Sequence, residues 1–232
     1  MDESVPDNRV GRDCTRARVF LDTSVVKHSF RARRALRPRS ASIEWNGKTH
    51  NLTLHDFVLI DPAARVTNKE LMNEIDDLTK ITALAVAGEI ELQWHHEARE
   101  EFDRVWLVPS GGSPSLLTAP ITWVDGPIWY RRMTTSLLPG DGWPRVDEQF
   151  EFLAGLDMPR FLQLQKLTGA YQGKIKNRNQ LLDAFHIWCA EVANSTHFLT
   201  TDLKLIKHIR RQTTNQPLIN VVSPSELLAE IQ

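Results

Sequence analysis

The sequence predicts an α/β fold of three layers, α/β/α, with a central, mostly parallel sheet, a β-hairpin insertion and a long tryptophan-rich insertion. Three observations predict it. Short apolar strands alternate with amphipathic helices along most of the chain, the rhythm of a parallel sheet covered on both faces. Two of those strands, Arg18 to Leu21 and His197 to Thr200, end in hydroxyl residues and an aspartate, Asp22 and Asp202. Early in the chain, Asn46-Gly47 separates two alternating runs, which is the strongest two-residue hairpin signal.

The first strand is a short β-branched and aromatic run closed by the turn-like Asp22-Thr23-Ser24. Arg37-Pro38 disfavours a continuous helix in the arginine-rich segment that follows. Ser42 to Trp45 and Thr49 to Leu54 form the arms of the hairpin, which Asp61-Pro62 ends. From Asn68 to Val86, Leu71, Ile75, Leu78, Ile81, Leu84 and Ala85 follow helical spacing, and Gly88 is placed to stop the helix. Ile90 to Trp94 alternates as a second strand, and a charged helix runs from His96 to about Val105.

From Trp106 to about Gln172 the chain is broken by prolines and glycines and carries Trp106, Trp123, Trp129 and Trp143. Short helices are expected at Phe150 to Leu156 and Phe161 to Leu167. A loop-rich stretch of this length is expected to be a lid, a base-stacking platform or a small core of its own. Order returns with a helix from Gln180 to Val192 and the strand His197 to Thr200. Helix Leu203 to Arg211, strand Leu218 to Val222 and a last helix Ser225 to Ile231 complete the chain. Ser223 and Ser225 are both candidates to cap that last helix.

The length suits one large domain, read as residues 17–232 with insertions near 40–62 and 106–172, behind a polar tail at 1–16 that is expected to be disordered. Hydrophobic residues make up 41% and charged residues 25%, the balance of a globular chain. No apolar run is long enough to cross a bilayer as a helix, and the tail lacks the apolar core of a secretory signal. Cys14 and Cys189 are read as free thiols of a cytoplasmic protein, too few for a structural zinc site.

The net charge of -1 shows no overall pull toward nucleic acid, but its distribution is uneven. Arg31, Arg33, Arg34, Arg37 and Arg39 follow Asp22; Lys174, Lys176 and Arg178 precede Asp183; Lys204, Lys207, Arg210 and Arg211 follow Asp202. Each run alone reads as a solvated face. Together they suit a polyanion brought to the acids.

Open α/β sheets bind ligands at the carboxyl ends of their strands, where Asp22 and Asp202 fall. Asp183 is placed in the first turn of its helix, one turn before His186. Carboxylates gathered at one edge repel each other unless a cation neutralises them, and hard Mg²⁺ or Mn²⁺ takes such oxygen ligands. A fourth acid is expected from the helix after the second strand. Glu97 and Glu101 lie four apart on one face there, and Glu101 is flanked by the inward-facing Ala98 and Phe102. His186 is read either as a contact to substrate phosphate or metal-bound water, or as a hydrogen-bonded structural histidine.

Four stretches carry a family resemblance: strand-Asp22-Thr23-Ser24, the helix glutamate after the second strand, Asp183-Ala184-Phe185-His186, and Phe198-Leu199-Thr200-Thr201-Asp202 before a basic helix. Together with Val221 to Leu228 they resemble a PIN-domain nuclease. The resemblance implies metal-dependent hydrolysis of phosphodiester bonds in RNA. It would place one or two Mg²⁺ or Mn²⁺ ions on Asp22, Glu101, Asp183 and Asp202, with Glu97 as the alternative to Glu101. Ser24, Thr201 and His186 would support the site, and Arg33, Arg34, Lys176, Arg178, Lys204 and Lys207 would bind the substrate. His95-His96 departs from the small hydroxyl residue that commonly ends the second strand. RNA is the expected partner; an inhibitor protein and a homodimer stay open, and no membrane is expected. Two other readings remain: an inactive PIN-like module that binds RNA or protein, and a phosphatase with Asp22 as nucleophile. The phosphatase needs a second aspartate where Ser24 stands.

Overall fold

The computed structural model describes residues 16–30, 33–60, 66–99, 115–128, 146–170 and 178–231, and only the backbone of 33–36, 57, 59–60 and 146–149. The expected tail and Cys14 lie outside the described residues.

Five strands form the central sheet: β1 (Ala17–Leu21), β4 (Ile90–His95), β5 (Ile121–Val124), β6 (His197–Leu199) and β7 (Asn220–Val222). Their order is β5-β4-β1-β6-β7, and every neighbouring pair is parallel. The chain starts at the centre, builds outward on one side, then returns to build on the other. Strand order therefore reverses at β1, and such a reversal opens a crevice at the carboxyl ends of the strands. Between β1 and β4 lies a separate two-stranded antiparallel sheet, β2 (Arg33–Trp45) and β3 (Lys48–Ile60), turning at Asn46-Gly47 as expected.

Helices cover both faces of the central sheet because successive side chains on a strand point to opposite sides. Phe20, Phe198 and Val221 face a core with α3 (Val146–Ala154), α4 (Pro159–Thr168), α5 (Arg178–Val192) and α6 (Leu203–Arg211). The residues one step along, Val19, Leu21, Leu92, Leu199 and Val222, face a second core with α1 (Thr23–His28), α2 (Lys69–Ala87) and α7 (Pro224–Ile231). No described helix is long and apolar enough to cross a membrane.

Local signals explain the element ends. Asn68 caps α2 by accepting from the Glu70 N–H. Gly88, at φ 81°, ends α2 in the left-handed conformation that favours glycine, with the two closing hydrogen bonds Gly88 N–H to Ala85 and Glu89 N–H to Leu84. Ser223 and Glu226 form a reciprocal capping box at the start of α7, so Ser223 is the cap. Ser225 instead donates its N–H and hydroxyl, at 2.8 Å each, to the buried Glu74 carboxylate on α2.

Two expectations need correction. Part of the stretch read as an insertion, Ile121–Val124, is the edge strand of the central sheet, and α3 and α4 belong to its cover. A four-residue strand between Pro120 and Gly126-Pro127 is too short to show a period. The helix carrying Asp183 starts at Arg178, so Asp183 sits in its second turn and is not favoured by the first-turn dipole.

Candidate active site

The site is built by strand register. Phe20 pairs with Gln93 on one side and with Phe198 on the other, and the rings of Phe20 and Phe198 stack at 5.8 Å. Two residues further on, pointing to the same face, come Asp22, His95 and Thr200. Three distant parts of the chain thus reach one level of the sheet edge, under α5.

Asp22 is 5% exposed. Its Oδ2 accepts hydrogen bonds from Ser24 Oγ and, at 2.7 Å, from Thr200 Oγ1. Each hydroxyl has one proton, and both are committed to the carboxylate. The same oxygens accept in turn from the backbone, Thr201 N–H to Ser24 at 3.2 Å and Asp202 N–H to Thr200 at 3.0 Å. Burial works against the charge on Asp22, but His186 and the two hydroxyls outweigh it and hold the carboxyl below its ordinary range. The carboxylate is therefore ionised although it is buried.

His186 comes from the third turn of α5, three residues after Asp183, and is 1% exposed. Its Nδ1 stands 3.8 Å from Asp22 Oδ1, too long for a hydrogen bond. Neither of its ring nitrogens has a hydrogen-bond partner among the described residues. Leaving a buried polar group unmatched costs about 1–3 kcal/mol. In native structures such a group is met by a water or an ion or has a catalytic role.

Around this pair lie residues with local structural duties. His28 Nδ1 is 2.7 Å from Thr201 Oγ1, and burial, followed by the neighbouring Lys27, lowers the pKa of its imidazole. His95 Nδ1 accepts from the Glu97 N–H at 3.1 Å, capping the helical turn that follows β4. Burial first, and then His186 and His96, bring His95 down to about 4, so it is neutral at pH 7. A Cβ on Gly126 would sit 2.9 Å from His95 Nε2 and 3.3 Å from Cys189 Sγ, so only glycine fits there unstrained. Glu97 is 1% exposed and, after burial itself, is the neighbour that pushes the Cys189 thiol up.

The chain matches no family model, no curated protein and no solved structure.

Not every predicted site residue takes its expected place. Asp22 and Ser24 are joined as expected, but the second hydroxyl on Asp22 belongs to Thr200, while the side chain of Thr201 meets His28. Asp202 is exposed and caps α6, its Oδ1 accepting from Lys204 N–H at 2.9 Å and Leu205 N–H at 3.0 Å. Asp183 is half-buried. Glu101 and Lys176 lie outside the described residues. Among the described residues no three His, Cys, Asp or Glu side chains stand together as a ready cation cage. Asp22, the innermost of these acids, is the oxygen type of donor that a hard cation takes.

Of the predicted substrate cations, Lys204 is exposed at the start of α6, and Lys207 pairs with Glu70 on α2 at 3.2 Å. Arg178 lies over the Phe150 ring at 5.1 Å. Arg33 and Arg34 are in β2, with only their backbone described. Sequence reasoning missed His28 and Gly126 as parts of the site, and it noted Thr200 and His95 without giving either a role of its own there. For Thr200 the signal was present, since it stands two residues after Phe198 just as Asp22 follows Phe20.

Proposed function

We propose that the protein is a metal-dependent endoribonuclease of PIN type, acting in the cytoplasm on phosphodiester bonds brought to the carboxyl edge of β1 and β6. One observation carries this reading: Asp22 is buried at the end of the central strand, ionised, and faces an imidazole whose nitrogens are unpartnered among the described residues. Asp22, Asp183 and Asp202, with Glu97 or Glu101, would hold Mg²⁺ or Mn²⁺. Held by those carboxylates, such a cation would supply an acidified water and charge stabilisation for the leaving oxygen.

The chain's own residues do the rest. Ser24 and Thr200 fix the plane of the Asp22 carboxylate and keep it unprotonated. His186 supplies a nitrogen to bind a phosphate oxygen or orient a water. Lys204, exposed two residues after Asp202, draws the phosphate backbone to the edge. Cleavage of labelled RNA in Mn²⁺, lost in Asp22→Asn and Asp183→Asn proteins that still melt cooperatively, is the expected result. Equal cleavage in EDTA would sink the reading, and RNA binding without turnover in any metal would replace it with the binding-module alternative.

A further inference from the structure

The β2–β3 hairpin is a long ribbon whose strands, among the described residues, pack substantially only on each other. Thirteen residues per strand give it a reach of about 40 Å. A two-stranded ribbon alone in water is marginal, so one of this length is normally completed by something laid against it. From Arg37 to Asp56 no residue is buried.

Its two faces differ. The register pairs Arg37 with Asp56, Arg39 with Leu54, Ala41 with Leu52, Ile43 with His50 and Trp45 with Lys48, so all of these share one face. The opposite face of the outer half carries Ser40, Ser42, Glu44, Thr49, Asn51 and Thr53. The first face is thus apolar with a cationic border, and Trp45, 67% exposed, sits beside Lys48 near the turn. Arg39 makes an exposed ion pair with Asp56 at 2.8 Å, whereas Arg37 and Lys48 have no ion-pair partner among the described residues.

We infer that this face binds single-stranded RNA, with bases stacking on Trp45 and the apolar stripe and phosphates meeting Arg37, Arg39 and Lys48. The ribbon carries five cations against two carboxylates in a chain of net charge -1. A polyanion with flat apolar bases matches both halves of that chemistry. A second copy of the ribbon would match only the apolar half, since packing the face on itself sets three cations near three cations with one carboxylate each to relieve them. The ligand class follows from the proposed reaction; the binding itself does not depend on turnover.

The test is fluorescence anisotropy of a labelled oligouridylate with the full chain in EDTA. Trp45→Ala should weaken binding about tenfold or more. Arg37→Ser combined with Lys48→Ser should lower the slope of log affinity against log salt by about 1.4. Unaltered thermal melts show that both variants fold. Unchanged affinity and slope would overturn the inference, as would a dimer in sedimentation that Trp45→Ala dissociates while oligouridylate binding persists. Ribbon-dependent binding without cleavage in Mn²⁺ would leave this inference standing and remove the proposed reaction. Cleavage that needs Asp22 together with binding indifferent to the ribbon would do the reverse.

Discussion

His186 Nδ1 stands 3.8 Å from Asp22 Oδ1, and both nitrogens of that buried ring lack a hydrogen-bond partner among the described residues. The protein thus keeps an unmatched imidazole against an ionised carboxylate in its interior, an arrangement that costs stability unless a ligand completes it.

Stability and activity should therefore separate at this position. Replacing an unmatched buried polar group with an apolar one of similar shape is close to neutral or stabilising. His186→Phe removes that unmatched group but also the imidazole that helps lower the Asp22 carboxyl. With the two effects opposed, it is expected to melt within about 2–4 °C of the wild type while RNA cleavage in Mn²⁺ falls. A much lower melting temperature would show that the ring makes structural interactions instead.

At Asp22 the two hydroxyls offer a different control. The amide oxygen that Asp22→Asn introduces can still accept from Ser24 and Thr200, so the variant keeps the fold at a cost of about 1–2 kcal/mol for the lost charge-assisted bonds. Cleavage should nevertheless fall by at least about a hundredfold, as loss of a preorganised charged group usually causes. Urea titration and gel-based RNA cleavage on the same preparation measure the two effects.

Gly126 tests the packing behind the site. Gly126→Ala places a methyl group 2.9 Å from His95 Nε2, a contact that must be relieved by moving a buried ring. The expected cost is about 1–3 kcal/mol in urea unfolding. Gly47→Ala is a different case, because nothing lies within 4 Å of the added carbon and the cost there comes only from the backbone at φ 69°.

A pH dependence follows from the Arg210–Glu226 pair, joined by bonds of 2.6 and 2.8 Å. Arg210 first, and also the Ser223 backbone N–H, outweigh partial burial and lower the Glu226 carboxyl. A carboxyl lowered on folding contributes stability above its unfolded value, and that contribution disappears as pH falls through the lowered value. Glu226→Gln should therefore destabilise at neutral pH, by less than about 1 kcal/mol because the pair is partly exposed, and should match the wild type once the pH lies below the lowered value. Melting curves across that range, repeated in high salt, check both the sign and the screening.

Much of the fold was legible because its elements carry their own period. The helix Leu203–Arg211 and the Asn46-Gly47 hairpin turn are local signals, and the structure has both. Elements without a period were not legible. Ile121–Val124 becomes a strand because Leu92 to His95 offer it an edge. The run Arg33 to Arg39 lies in a strand because Leu54 to Ile60 pair with it, which its own arginines do not encode.

The candidate site divides the same way. The sequence by itself determined which residues carry charge at strand ends, Asp22 and Asp202, and which helix brings Asp183 and His186 one turn apart. Residue type and spacing are enough for that. Only the tertiary structure decided that Thr200 rather than Thr201 holds the Asp22 carboxylate, and that Asp202 caps α6. It also decided that Asp22, His95 and Thr200 share one level of the sheet. Those outcomes depend on the register between strands more than seventy residues apart, set by burying Phe20 and Phe198 on one face and Val19 and Leu21 on the other. Local periodicity holds no information about which distant strand a given strand will meet, or at what level.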